Sequence, residues 1–228
     1  MLKQRIVPSL LLKKNTKGLI MYRGITHENY YRSEIEEFGS TAEGAGWKNK
    51  HSQFIRFKQL VRLIPTEECT LNDLGCGFGH LYEYIQHNDP KNINYRGYDI
   101  SVEMINKAKL LHPVHDRQCN FFHIFDIDEM PIVDFTVSSG IFNLKGSTSE
   151  SKWLSYILST IEEMDKKSRK GFGFNMLTKY SDSEHMDGTL YYSDPCFFFD
   201  FCKKNYSKNV ALLHDYNEYD FTILIKKT

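Results

Sequence analysis

A glycine-rich segment in the first half of the chain is the strongest candidate for ligand chemistry. Gly75, Gly77 and Gly79 alternate with other residues and directly follow a predicted strand that ends at Leu74. Glycine allows sharp backbone turns and lets a ligand approach where a Cβ atom would collide with it. A helix is predicted directly behind the loop, and its free N–H groups can bind a carboxylate or a phosphate. The pattern therefore predicts a loop that binds a nucleotide or a related cofactor.

Two details of this loop favour a cationic ligand over a pyrophosphate. A dinucleotide-binding fingerprint requires Gly or Ala at its sixth position, where this chain has His80. Asp73 precedes the first glycine by two residues, and a carboxylate there suits a ligand with a positive group, such as a methionyl ammonium. An NAD-dependent oxidoreductase is an alternative, against which His80 argues.

A second acidic residue supports the same interpretation. Asp99 ends the next predicted strand, 20 residues after Gly79, which is the spacing at which an acidic residue meets the ribose hydroxyls of an adenosine. A carboxylate that accepts from both hydroxyls gives affinity and orientation together. The alternative is that Asp99 caps the helix that begins near Ser101. Because NAD has the same ribose, Asp99 by itself does not distinguish between the two cofactors.

The elements that must position these residues alternate between strands and helices. Strands are predicted at residues 69–74, 93–99, 118–124, 132–139, 171–177, 208–214 and 219–226. Helices are predicted at residues 79–88, 101–111, 150–168 and 195–205. This alternation predicts a doubly wound, Rossmann-like α/β fold with a seven-stranded sheet. Only residues 215–218 join the last two strands, which predicts an antiparallel hairpin at the C-terminal end.

The first 50 residues differ from the rest and predict an N-terminal helical cap, followed by the main domain at 51–228. Tyr31, Ile35 and Phe38 have helical spacing before Gly39, and a second helix is predicted from about Asn49 to Ile64. Gly44-Ala45-Gly46-Trp47 lies between the two helices and combines flexible glycines with a bulky anchor, as expected of a lid. We expect Trp47 or Arg56 near the methionyl end of the ligand, and core packing of Trp47 is the alternative.

Composition limits the class of protein. The chain has 228 residues, enough for one α/β domain with a small cap. Its 29 Lys and Arg residues balance 29 Asp and Glu residues, which argues against nucleic acid as a partner. The five cysteines show no CxxC spacing, so reduced thiols and no metal site are predicted. No apolar run approaches the roughly 18 residues of a membrane span, and we expect a cytoplasmic protein.

Two motifs carry a resemblance to a known family. Asp73-Leu74-Gly75-Cys76-Gly77-Phe78-Gly79 resembles motif I of class I S-adenosylmethionine-dependent methyltransferases, and Tyr98-Asp99-Ile100-Ser101 resembles their motif II. Residues 139–143, 190–195, 199–203 and 213–216 are similar to an uncharacterised bacterial branch of small methyltransferases. The resemblance implies S-adenosylmethionine as cofactor. The residues implied to bind it are Asp73, Gly75, Cys76, Gly77, Gly79, Asp99, Ile100, Asp126, Ile127 and Ser139, with Asp128 as an alternative adenine contact.

The reaction of this family places few demands on side chains. Methyl transfer from a sulfonium is an in-line displacement in which the protein aligns the acceptor and excludes water. A base is required only where the acceptor must lose a proton. The candidates for catalytic roles are Asn143, His185 and His214, with Tyr180, Asp182, Tyr191 and Tyr192 in the same predicted loops.

One absent motif bears on the acceptor. Amide and exocyclic-amine methyltransferases share an Asn/Asp-Pro-Pro-aromatic segment after strand four, and residues 138–142 read Ser-Ser-Gly-Ile-Phe instead. The sequence therefore favours O-methylation of a small-molecule substrate. The other alternative is a non-catalytic protein that binds S-adenosylmethionine or S-adenosylhomocysteine, against which the intact glycine loop and Asp99 argue. The acceptor and the oligomeric state stay open.

Overall fold

The computed structural model describes residues 25–89, 92–113 and 118–227, so the first 24 residues of the predicted cap lie outside it. Seven strands in the described part form one sheet. The strands are β1 (Cys69–Leu74), β2 (Ile93–Asp99), β3 (Cys119–His123), β4 (Val133–Ser139), β5 (Ser168–Leu177), β6 (Asn209–Leu213) and β7 (Asp220–Lys226).

The strand order is β3-β2-β1-β4-β5-β7-β6, and the first five strands in this order are parallel. Strand β7 runs antiparallel to both β5 and β6. The predicted α/β class and the C-terminal antiparallel hairpin are therefore confirmed. The central strands are buried on both faces, as a sheet covered by helices requires.

The described α-helices are α1 (Ile25–Phe38), α2 (Lys50–Leu60), α3 (His80–Asn88), α4 (Val102–Leu111), α5 (Glu150–Lys166) and α6 (Pro195–Asn205). Polar side chains begin several of them. Asn49 accepts from the Ser52 N–H at 2.8 Å, and Ser101 accepts from the Met104 N–H at 3.2 Å. Asp194 caps α6, whose first residue is a proline.

The boundary between α5 and β5 differs from the prediction. Helix α5 ends at Lys166 and strand β5 begins at Ser168, whereas the sequence predicts helix to 168 and strand from 171. Arg169 and Lys170 therefore lie in the strand, where both approach the Asp134 carboxylate of β4, at 3.6 and 3.3 Å.

The helices cover the sheet in two layers. The side chains of α2, α3 and α4 share one buried cluster with one face of the sheet, and those of α5 and α6 share another with the opposite face. A third, small cluster joins Ile35 of α1 to Phe78 and Met104. No described helix combines the length and the apolar character that crossing a bilayer requires.

Candidate active site

A cavity of about 680 Å³ lies at the edge where β1, β2 and β4 end. The chain leaves β1 toward β2 on one side and returns through β4 on the other, so the cavity occupies the point where the strand order reverses. Helix α1 and the loop before α2 cover it, and residues of α2, α4 and α5 complete its wall. This is the position at which doubly wound sheets bind ligands.

The predicted glycine loop forms part of the cavity wall. Gly75, Cys76 and Gly77 line it. Gly75 has a φ of 76°, and a Cβ atom there would lie 2.2 Å from the Ile141 side chain, so only glycine fits. Gly79 is not among the lining residues; a Cβ atom there would lie 2.6 Å from the Phe121 ring. The structure therefore gives Gly79 a packing role behind the loop.

Asp73 is a buried carboxyl group on the cavity wall. The Tyr95 hydroxyl donates to its Oδ2 at 2.6 Å. Burial raises the pKa of Asp73 to about 7, the hydrogen bond from Tyr95 opposes that increase, and the nearby Asp99 charge adds to it. A cationic ligand beside Asp73 would supply the missing counter-charge.

Asp99 ends β2 and also lines the cavity, next to Ile100. Its two carboxylate oxygens accept from the Gly77 N–H at 3.0 Å and from the Ser101 N–H at 2.8 Å. Burial raises the pKa of Asp99, and these backbone hydrogen bonds counteract the shift. The Ser101 hydroxyl caps helix α4, so Asp99 is not the residue that caps this helix.

The end of β4 supplies a polar corner. Ser139, Gly140 and Asn143 line the cavity. The Asn175 side chain fixes two of them, because its Nδ2 donates to the Ser139 hydroxyl at 3.0 Å and its Oδ1 accepts from the Gly140 N–H at 2.9 Å. Asn143 is itself anchored through its Oδ1, which accepts from the Leu177 N–H at 3.0 Å.

Besides Gly79, several predicted site residues do not line this cavity, and neither do the loop candidates Tyr180, Asp182, Tyr191 and Tyr192. His185 is exposed on a short 3-10 turn beside Glu184, and His214 is exposed beside the Tyr180 ring. Asp126 caps the turn that contains Ile127, whose side chain is fully buried in the core. The structure brings neither the two histidines nor Asp126 and Ile127 together with Asp73 and Asp99, because short turns hold them elsewhere.

The predicted lid contributes directly to the wall. The Trp47 ring lines the cavity, and a Cβ atom on Gly140 would lie 2.8 Å from it. Arg56 stacks on the same ring, 4.9 Å from its centroid, and binds the buried Asp220 and also Glu218, the latter at 3.1 Å. Arg56 therefore supports Trp47 from outside the cavity.

Several residues that line the cavity are not among the site residues predicted from the sequence. Gln53, Tyr31 and Tyr156 all line the cavity. Gln53 carries a readable signal, because it stands four residues before Phe57 and seven before Leu60, on the buried face of α2. Tyr31 and Tyr156 have ordinary helical spacing, which does not distinguish a cavity wall from a core.

Comparisons with known proteins agree with this geometry. No protein-family model matches the chain. The chain is 44% identical over 158 residues, 69% of its length, to the protein of Mycobacterium tuberculosis strain H37Rv named "Putative methyltransferase Rv1506c", 93% of which it covers.

Solved structures share the fold at low sequence identity. A SAM-dependent methyltransferase from Aquifex aeolicus is 13% identical with a TM-score of 0.55, over 86% of this chain and 98% of that one. Magnesium protoporphyrin IX methyltransferase from Synechocystis PCC 6803 with bound SAH is 14% identical with a TM-score of 0.58, over 90% and 95%. With S-adenosylmethionine as its cofactor, the chain belongs to the class I S-adenosylmethionine-dependent methyltransferases.

Proposed function

We propose that the protein transfers the methyl group of S-adenosylmethionine to an oxygen atom of a small molecule. The observation that carries this proposal is the cavity itself, which is lined by the carboxyl groups of Asp73 and Asp99 together with aromatic rings and amide side chains. Its volume of about 680 Å³ suits a cofactor and a small acceptor together.

The cofactor contacts follow from the charges and hydrogen bonds of the wall. Asp73 is placed to bind the methionyl ammonium, since a buried carboxylate gains most from a cationic partner. Asp99 retains acceptor capacity for the ribose hydroxyls beside its two backbone contacts. Ile100 offers an apolar surface to the adenine, and Ser139 lies near the methionyl end. The bound cofactor supplies the electrophilic methyl group.

The choice of oxygen rests on the segment after β4. Ser139 and Gly140 are fixed by Asn175, and the proline pair of the amide and amine methyltransferases is absent from residues 138–142. The cavity also presents the amides of Gln53 and Asn143 and several aromatic rings, which suit a hydroxyl-bearing molecule.

The cap closes over the bound ligands in this proposal. The described part of the cap, residues 25–50, covers the cavity and meets the main domain through the cluster of Ile35, Phe78 and Met104 and through Trp47, which packs beside Gly140 and Arg56. Such limited contacts are compatible with opening for ligand exchange. Removing residues 1–46 should weaken S-adenosylhomocysteine binding and lower turnover, and unchanged values of both would contradict a lid.

The decisive experiment follows S-adenosylhomocysteine release with a panel of small hydroxylated acceptors. Asp99→Ala is the control, because loss of its carboxylate should abolish cofactor binding. A protein that binds cofactor but turns over none of the small acceptors, while methylating RNA or protein, would refute the proposal.

A further inference from the structure

Gln53 is a buried amide that faces the cavity without a partner. Its side chain is 3% exposed and contributes to the cavity wall. Within the described part of the chain, its carboxamide makes no hydrogen bond, whereas Gln59, two turns along the same helix, accepts from Arg62 at 3.0 Å. Buried polar groups are nearly always hydrogen-bonded, because an unpaired one costs free energy. A ligand that enters the cavity can supply the missing partner.

Aromatic and aliphatic side chains form much of the same cavity wall. Trp47 covers the end of β4, and Trp153 and Tyr156 of α5 line the cavity as well. Leu144 and Leu190 line it too, and a β-bridge between their backbones joins the loop after β4 to the loop before α6. Flat apolar walls of this kind bind a planar ring by stacking and by burying its surface.

Few of the residues that line the cavity carry a formal charge. The described lining residues that carry charge are Arg32, Asp73, Asp99, Glu103 and Lys107. Asp73 and Asp99 are the proposed cofactor ligands, Glu103 and Lys107 pair with each other at 3.0 Å along α4, and Arg32 is exposed on α1.

The buried cation that contacts the Trp47 ring already has partners of opposite charge. Arg56 lies behind Trp47 and is paired with Asp220 and Glu218. Of the described cations that line the cavity, Lys107 is paired with Glu103 and Arg32 is exposed, so a deeply buried ionised acceptor would have no buried counter-charge, which is unfavourable.

We infer that the acceptor is an uncharged ring compound with a hydroxyl group, stacked against Trp47 and hydrogen-bonded to Gln53; this inference rests on the proposed function. In the reaction, the O–CH₃ bond forms as the S–CH₃ bond of the sulfonium breaks and its electron pair stays on sulfur. The hydroxyl proton is released to water.

Binding to the S-adenosylhomocysteine complex of the full chain tests this inference independently of turnover. The probes are 2-naphthol, which is neutral at pH 7.5, and 6-hydroxy-2-naphthoate, which adds a carboxylate to the same ring. Calorimetry should show 2-naphthol binding at least about tenfold more tightly than 6-hydroxy-2-naphthoate, since no buried cation is available to compensate the added carboxylate.

Two matched substitutions on α2 separate a ligand contact from a structural role. Gln53→Leu should weaken 2-naphthol binding by roughly tenfold, the loss expected of one buried hydrogen bond, and leave S-adenosylhomocysteine affinity unchanged. Gln59→Leu should change neither, because Gln59 lies on the same helix but does not line the cavity.

Four results would overturn the inference: no binding of 2-naphthol, equal or tighter binding of the carboxylate, unchanged binding by Gln53→Leu, or an equal loss of S-adenosylhomocysteine affinity in that variant. The last would make Gln53 a cofactor ligand. If 2-naphthol binds through Gln53 but only a macromolecule is methylated, the proposed function fails and the ring-binding site stands.

Discussion

Asp73→Asn should stabilise the cofactor-free protein at alkaline pH while abolishing cofactor binding. The buried Asp73 has a pKa of about 7 against an ordinary value of 3.8, so its ionised form is destabilised by about 4 kcal/mol at 1.36 kcal/mol per pKa unit. Because the folded state binds the extra proton, this penalty is absent below pH 4, grows between pH 4 and 7, and is complete above pH 7.

The substitution removes the charge but keeps an oxygen that can accept from Tyr95. The new amide N–H groups need partners in a buried site, which costs about 1–3 kcal/mol. The net gain at pH 8 is therefore about 2 kcal/mol, or a Tm increase of about 4–8 °C for a chain of this size. At pH 4 the gain disappears and the cost of the amide remains, so the variant should be about 1–3 kcal/mol less stable than the parent.

Thermal unfolding of the cofactor-free protein at pH 4, 6 and 8 measures this effect, with calorimetry for S-adenosylmethionine at pH 8. Asp134→Asn is the matched control with the opposite sign, since hydrogen bonds from Thr70 and Lys170 hold the pKa of Asp134 below its usual value. A Tm difference for Asp73→Asn that is independent of pH, or a lower Tm at pH 8, would refute the assigned ionisation.

Three further outcomes follow from the same contacts. Tyr95→Phe removes the hydrogen bond to Asp73, raises the pKa of that carboxyl further, and should weaken S-adenosylmethionine binding at pH 7 but not at pH 9; calorimetry showing equal losses would contradict this. Gly140→Ala places a Cβ atom 2.8 Å from the Trp47 ring and should lower the Tm, and Trp47→Ala in that background should recover part of the loss unless the two residues are independent. Arg56→Met leaves Asp220 buried and unpaired and should cost about 3–5 kcal/mol in urea unfolding, whereas Arg56→Met with Asp220→Leu should recover most of it; a single-variant cost below about 1 kcal/mol would show that the pair is unimportant.

The fold can be predicted from the sequence because the patterns that indicate each element are local. The parallel strands are short segments that alternate with helical patterns along the chain. The loop between β6 and β7 is too short for a crossover connection, so these two strands must form a hairpin. The positions of Asp73 and Asp99 can be predicted from the sequence for a related reason. A residue at the carboxyl end of a parallel strand must reach the ligand edge, so its place in the strand fixes its place in the site.

The loop residues had no such constraint. His185 and His214 follow strands and were expected at the same edge, but a loop can turn away from the ligand. Backbone hydrogen bonds from Lys179 to Ser193 and from Tyr191 to Asn143 fix the loop between β5 and α6, and His185 remains exposed. Gln53 was missed for the opposite reason, because α2 approaches the cavity only through its packing on the sheet.

The direction of β7 links the two ends of the chain. Because β7 is antiparallel, its first residue lies where the parallel strands finish, and Asp220 stands beside Leu177 at the end of β5. Asp220 thereby reaches Arg56, which supports Trp47 in the N-terminal part of the chain. The part of the cavity wall formed by Trp47 thus depends on a strand that contributes none of the described residues lining the cavity. Sequence changes at the C-terminal hairpin can therefore alter acceptor selection while the cofactor loop, formed by β1 and α3, stays intact.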